Sequence, residues 1–131
     1  MKPFQMLARF GLFIIFAVLI LWLSLDSNPP VPKWEFIAWD KAQHALAYGM
    51  LTLLAGGALA VLHKSPLRVW ILAFTFSLSY GILLEFLQKY FSPTRQFEIG
   101  DMVADGIGSL IVAVVAFYWF RFGFALPGRG K

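Results

Sequence analysis

Three ionisable side chains, His44, Glu85 and Asp105, lie within otherwise apolar stretches of this 131-residue sequence. An imidazole and two carboxylates are a minimal set for general acid–base catalysis, and the same groups bind polar ligands. Ionisable groups are costly inside an apolar segment, so each of the three is a candidate functional residue. The structural alternative is that they hold helices together through hydrogen bonds.

Helical spacing extends each of these residues into a polar stripe, because residues three or four apart lie on the same side of a helix. The stripes are Asp40, His44 and Tyr48; Ser77, Gly81, Glu85 and Gln88; and Asp101, Asp105 and Gly108. With a rise of about 1.5 Å per residue, His44 and Asp105 lie roughly 6 Å below the starts of their helices. Glu85 lies roughly 7 Å below the end of its own helix. We therefore expect the three stripes to meet in one layer.

Two cations and two further acids complete the candidate site. Lys41 and Arg95, the latter in the loop of residues 92–100, offer positive groups for a phosphate or a carboxylate. Asp40 and Asp101 either contribute to the site or cap the helices that begin near them. The predicted ligand-binding set is Asp40, Lys41, His44, Tyr48, Glu85, Gln88, Arg95, Asp101 and Asp105.

For two members of this set, Tyr48 and Gln88, a purely structural role fits the residue type at least as well as ligand binding. Tyr48 is typical of a packing or interfacial aromatic residue. Gln88 is typical of a side chain that forms hydrogen bonds between helices.

The elements that must position these groups are membrane spans. Apolar residues make up 60% of the chain and charged residues 14%, whereas about 25% of a soluble domain is charged. This composition excludes a soluble globular enzyme and a disordered chain. Four stretches, residues 7–25, 41–62, 67–90 and 101–120, approach the roughly 20 apolar residues that a spanning helix needs. The sequence predicts one all-α domain over residues 1–131, a four-helix transmembrane bundle whose first span is retained rather than cleaved.

Basic residues are distributed unequally between the two ends of this bundle, and loops rich in Lys and Arg stay in the cytoplasm. One end would carry seven basic residues and no acid, namely Lys2, Arg9, Lys64, Arg68, Arg121, Arg129 and Lys131. The other end would carry all seven acids together with Lys33, Lys41, Lys89 and Arg95. We therefore predict that both termini are cytoplasmic and that the polar layer faces the outside. The net charge of +4 then reflects topology, and we expect no nucleic-acid partner.

Metal binding is a further chemical alternative for this layer. The chain has no cysteine, so a metal site would need His44 with Asp40, Glu85 and Asp101 as mixed nitrogen and oxygen ligands. Because this layer contains a single histidine, we predict no metal site and no cofactor.

The residues assembled so far resemble the VanZ-like family of small bacterial membrane proteins. The matching pattern is Asp40-Lys41-x-x-His44-x-x-x-Tyr48, Gly81-x-x-x-Glu85-x-x-Gln88, Pro93-x-Arg95-x-x-x-x-x-Asp101 and Asp105-x-x-Gly108. The resemblance covers roughly residues 20–116, and it departs at Asp105, where the family usually has Asn. The family's namesake is associated with resistance to teicoplanin, a glycopeptide that acts outside the cytoplasmic membrane. The resemblance thus implies a place in the bacterial cell envelope and a phenotype, but no particular reaction.

Three functions remain as hypotheses. The first is a membrane binding module for an anionic or lipid-linked envelope ligand, with membrane lipids as its other partners. The second is an intramembrane hydrolase or transferase on a lipid-linked substrate, with His44 as base and Glu85 or Asp105 as its partner. The third, a small multidrug-type transporter, is disfavoured because such proteins carry a carboxylate in the first span, whereas residues 10–25 contain no ionisable group. The sequence predicts neither the substrate nor the oligomeric state.

Overall fold

The computed structural model of the protein describes residues 3–26, 30, 37–91 and 97–122, with the backbone alone for residues 37–39. Four helices, α1 Pro3–Leu25, α2 Ile37–Leu59, α3 Pro66–Phe91 and α4 Ile99–Phe122, account for nearly all of these residues, and no strand occurs among them. The all-helical architecture with four helices is therefore confirmed. The location of the termini stays a prediction.

Three of the four helices, α1, α3 and α4, are long and apolar enough to cross a membrane. The fourth predicted span, α2, is not among them. Its first two turns carry Asp40, Lys41 and His44, which lower its hydropathy even though its second half is apolar. The sequence prediction of four spans is thus supported for three helices, and the crossing of α2 remains a proposal.

The helix ends follow local sequence signals. Ser65 and Pro66 start α3 in the usual way, because the Ser65 hydroxyl accepts a hydrogen bond from the backbone N–H of Arg68 at 3.4 Å, and proline suits the first helical position. The connection between α2 and α3 is tight, with the N–H of His63 donating to the carbonyl of Leu59 at 3.0 Å. The N–H groups of Val61 and Leu62 donate to carbonyls three residues earlier, those of Ala58 at 3.2 Å and Leu59 at 2.9 Å. Because this spacing differs from the four residues of an α-helix, α2 ends at Leu59 rather than at residue 62.

The bundle is apolar outside and partly polar inside. Large side chains such as Leu7, Ile15 and Val115 are 60–72% exposed, whereas the buried groups include Thr52, Ser77, Glu85, Asp101, Asp105 and Ser109. A water-soluble protein has the reverse arrangement. This distribution suits a bundle whose outer surface is covered by lipid.

The packing places α2 and α3 at the centre. Each of them contacts all three other helices, whereas α1 and α4 make no contact with each other over the described ranges. Tyr80 and Gln88 of α3 attach α1 by donating hydrogen bonds to the carbonyls of Ala17, at 2.8 Å, and Ser24, at 3.0 Å. The contact between α2 and α4 is the most extensive, and it carries the site.

Candidate functional site

Two glycines bring the backbones of α2 and α4 into contact. A Cβ atom on Gly108 would overlap the backbone of Ala45, and a Cβ atom on Gly49 would lie 3.3 Å from the carbonyl oxygen of Gly108. Small residues allow helices to approach this closely. Because Ala45 follows His44, and Gly108 lies one turn beyond Asp105, the crossing fixes the distance between these two polar side chains.

The imidazole of His44 lies between two carboxylates of α4. Its Nδ1 atom is 2.9 Å from Oδ1 of Asp105, and its Nε2 atom is 3.5 Å from Oδ2 of Asp101. The side chain of Asp105 is 3% exposed and that of Asp101 is 12% exposed. The two acids are four residues apart and share one face of α4. The sequence predicts His44 and Asp105 at the same depth, and the structure confirms that the two side chains meet.

Lys41 supplies the positive charge on the outer side of this pair. Its ammonium group bonds to the carboxylates of Asp101, Glu98, at 2.5 Å, and Asp40, at 3.3 Å. Gly100 makes room for it, since a Cβ atom there would lie 3.1 Å from the Lys41 Cε atom. Asp40 and Glu98 are more than half exposed, so the group opens towards the surface. We call Asp40, Lys41, His44, Glu98, Asp101 and Asp105 the acidic-end cluster.

Glu85 lies beside this cluster, but its bonding partner is backbone. Its Oε1 atom accepts a hydrogen bond from the N–H of Glu98 at 2.8 Å, and the residue is 4% exposed. Glu98 directly precedes α4, so the Glu85 carboxylate lies at the positive end of that helix. This carboxylate therefore joins α3 to the start of α4.

The remaining predicted residues lie in structural positions or outside the described ranges. Tyr48 is buried beside Ile20, Leu51 and Leu84, with its ring parallel to that of His44 at a centroid distance of 6.3 Å. The amide of Gln88 bonds to α1, as described above. Tyr48 thus makes the contacts of a packing residue, and Gln88 makes the contacts of a side chain that joins two helices. Arg95 lies outside the described residues.

Asp40 and Asp101 both lie in the first turns of their helices. Carboxylates there interact favourably with the positive end of a helix dipole. Both aspartates also contact Lys41 and so belong to the cluster. The sequence left helix capping and a place in the site as alternatives, whereas in the structure each aspartate lies at a helix start and also belongs to the cluster.

Glu98 is the member of the cluster that the sequence-based set omits. Its carboxylate pairs with Lys41, its N–H donates to Glu85, and its carbonyl accepts from the N–H of Asp101 at 3.1 Å. The signal that could have found it is its position three residues before Asp101, at the start of a helix. Ser109 was also missed, and its hydroxyl donates to the Tyr48 carbonyl at 3.3 Å.

The cluster has the donor atoms of a cation site. One ligand atom each from Asp40, His44 and Asp101 lies within 4.8 Å of the others. The ammonium group of Lys41 bonds to both aspartates of this set, so the chain supplies its own cation there. The absence of a metal and of a cofactor stays a prediction.

Carboxylates outnumber cations among the described residues of this region. Four acids, Asp40, Glu98, Asp101 and Asp105, contact Lys41 or His44, and a fifth, Glu85, bonds to the backbone of Glu98 beside them. Such a group can accept several hydrogen bonds from a ligand, and His44 can exchange a proton with either neighbouring carboxylate. The geometry therefore suits binding of a donor-rich ligand or proton transfer.

No protein-family model matches the chain, and no solved structure matches it. The resemblance to VanZ-like proteins accordingly rests on the residues quoted from the sequence.

Proposed function

We propose that the chain is a VanZ-like integral membrane protein of the bacterial cell envelope, and that its acidic-end cluster binds a lipid-linked envelope ligand. The observation that carries the proposal is a continuous path of polar groups in an otherwise apolar bundle. It runs from the half-exposed Asp40 and Glu98 through Lys41 and Asp101 to His44 and the nearly buried Asp105. A ligand headgroup can contact the outer groups of this path while its acyl chains stay in the bilayer.

The charge distribution supports a multi-pass position in the cytoplasmic membrane with the cluster outside. The connection between α2 and α3 carries Lys64, and Arg121 lies in the last turn of α4. The acids of the cluster lie towards the opposite end. Under the positive-inside rule a basic end is expected in the cytoplasm, and the proposal therefore has both termini in the cytoplasm and the cluster towards the cell wall. In this proposal α2 also crosses the membrane, with its polar first half covered by α3 and α4.

The expected ligand carries an anionic group next to hydrogen-bond donors. Lys41 is the cation of the cluster that can hold a phosphate. Its bonds to the exposed Asp40 and Glu98 are weak enough to exchange, since exposed ion pairs contribute about 0–1 kcal/mol. The more buried Asp101 keeps the ammonium group in place. The surplus carboxylates then accept hydrogen bonds from hydroxyl or ammonium groups beside the phosphate. Lipid-linked cell-wall precursors have this chemistry.

A binding experiment tests the ligand. Purified protein in nanodiscs is titrated with a polyprenyl phosphate and with the corresponding polyprenyl alcohol, and bound lipid is counted by native mass spectrometry. We expect the phosphate to bind preferentially and Lys41→Gln to weaken it, whereas Lys89→Gln, a matched change on α3, leaves it unchanged. Equal binding of the phosphate and the alcohol would refute the proposed ligand.

A cellular experiment tests the link to glycopeptide resistance that the resemblance implies. The chain is expressed in a teicoplanin-sensitive bacterium, and growth is measured against drug concentration. We expect His44→Ala to abolish any protection at unchanged protein level in the membrane. His63→Ala, which alters the other histidine of the chain, is the matched control and should retain protection. Full protection by His44→Ala would exclude the cluster from this phenotype.

The pairing of His44 and Asp105 favours an intramembrane hydrolase as the second candidate. A polyprenyl diphosphate is a suitable probe substrate. Water would add to the terminal phosphorus, the bridging P–O bond would break, and His44 would take the proton of the attacking water. The products are a polyprenyl phosphate and inorganic phosphate. Release of phosphate by the native protein but not by His44→Gln would establish this candidate over simple binding.

A further inference from the structure

The end of the bundle opposite the acidic-end cluster contains a cavity of 420 Å³ between α2, α3 and α4. Its wall is apolar and includes Leu53, Trp70 and Phe120. Trp70 and Phe120 stack with their ring centroids 5.9 Å apart. Phe120 is 65% exposed and Leu53 is 44% exposed, so the cavity is open to the lipid-facing side of the bundle.

The rim of this cavity is basic. Arg9 and Lys64 border it together with His63, and none of the described residues that line it is acidic. One N–H of the Arg9 guanidinium donates to the carbonyl of Gly57 at 3.2 Å, which holds the side chain at the rim. Lys64 is exposed and forms no ion pair with any described residue. The acids of the cluster lie towards the other end of the bundle, and no described acid forms an ion pair with Arg9 or Lys64.

We infer that this cavity binds an anionic phospholipid, with the phosphate between Arg9 and Lys64 and an acyl chain against Trp70 and Phe120. Three features select this occupant. The wall is apolar, the opening faces the surface that α4, a candidate membrane span, presents to lipid, and the rim has the charge that complements a phosphate. Basic pockets between helices at the end of a span are typical sites for anionic lipid headgroups. The inference is independent of the ligand of the acidic-end cluster.

Substitutions at two glycines can test the inference without disturbing the fold. A Cβ atom at Gly57 would meet nothing within 4 Å, although Gly57 lines the cavity. Gly57→Leu therefore adds an apolar side chain at the wall of the cavity without a clash at the backbone. Gly11 on α1 is equally open and lies outside the lining, so Gly11→Leu is the matched control.

The experiment measures lipid binding by native mass spectrometry of purified protein, with phosphatidylglycerol and phosphatidylcholine of identical acyl chains. We expect preferential binding of phosphatidylglycerol to the native chain. Each basic residue near a membrane surface contributes about five-fold to such binding, so Arg9→Gln with Lys64→Gln should weaken it about 25-fold. Gly57→Leu should weaken both lipids, whereas Gly11→Leu and Lys89→Gln should leave both unchanged.

Four outcomes would overturn the inference. Equal binding of the two lipids would show that charge does not select the lipid. Unchanged binding by the double variant, or by Gly57→Leu, would show that the lipid does not bind in this cavity. In a third arm, inorganic phosphate is added at millimolar concentration. If phosphate alone displaces phosphatidylglycerol completely, the site recognises a free anion rather than a lipid.

Discussion

The Nδ1 atom of His44 lies 2.9 Å from Oδ1 of Asp105, a residue 61 positions later in the chain. An ionised carboxylate only accepts hydrogen bonds, so His44 carries its proton on Nδ1 when Asp105 is ionised. Asp101 lies on the other side of the ring, one turn earlier on α4. A buried carboxylate without a partner is costly. The pair therefore contributes to the association of α2 and α4 as well as to the candidate site.

Replacing Asp105 by Leu should destabilise the protein more than replacing it by Asn. The leucine leaves Nδ1 of His44 without an acceptor, which costs about 1–3 kcal/mol. The asparagine keeps an oxygen at this position, and it is the residue that VanZ-like sequences usually have there. Thermal unfolding in detergent, followed by tryptophan fluorescence, measures both changes. Equal losses would mean that the hydrogen bond is not what stabilises the contact.

The glycine at the helix crossing should tolerate no side chain. Gly108→Ala places a Cβ atom against the backbone of Ala45, so α2 and α4 must separate. We expect a loss of about 1–3 kcal/mol in the free energy of unfolding, as for other overpacked positions. Gly11→Ala is the control, because its Cβ atom meets nothing and alanine favours helix by about 0.5–1 kcal/mol. The same unfolding assay compares the two, and a harmless Gly108→Ala would contradict the close crossing.

The sequence predicted the number of helices and the meeting of α2 with α4, because both depend on local periodicity and on depth along a helix. His44 and Asp105 could be placed at one level by counting residues from the helix starts. Depth does not determine how each helix is rotated about its axis. For this reason the sequence did not indicate that Gln88 would face α1, or that Tyr48 would pack against Leu51 and Leu84.

The part of the site that was missed depends on backbone groups. Glu98 is an exposed acid in a loop, and nothing in its residue type indicates that its N–H would bond to Glu85. The end of α2 was also placed three residues too late, because residues 60–62 are apolar although they form turns. Hydropathy reports where a segment is apolar, whereas the backbone hydrogen bonds determine where the helix stops.

Lys41 should be coupled more strongly to Asp101 than to Asp40. Asp101 is 12% exposed, whereas Asp40 is 58% exposed and its ion pair is screened by water. Double-mutant cycles combine Lys41→Met with Asp101→Asn or with Asp40→Asn and compare free energies of unfolding. We expect a coupling of about 1–3 kcal/mol for the first pair and below about 1 kcal/mol for the second. Equal coupling free energies would show that burial does not determine the relative strength of these two ion pairs.

The proposed orientation can be tested with single cysteines, because the natural chain has none. Ser65 lies in the connection between α2 and α3 at the basic end, and Tyr90 lies near the end of α3 at the acidic end; both are exposed. In the proposed orientation, which follows the positive-inside rule, the first residue lies in the cytoplasm and the second outside. A membrane-impermeant maleimide should therefore label Tyr90→Cys in intact spheroplasts, and it should label Ser65→Cys only after the membrane is permeabilised. The reverse pattern would place the acidic-end cluster in the cytoplasm and exclude a ligand on the cell-wall side. Labelling of both residues in intact spheroplasts would mean that α3 does not cross the membrane.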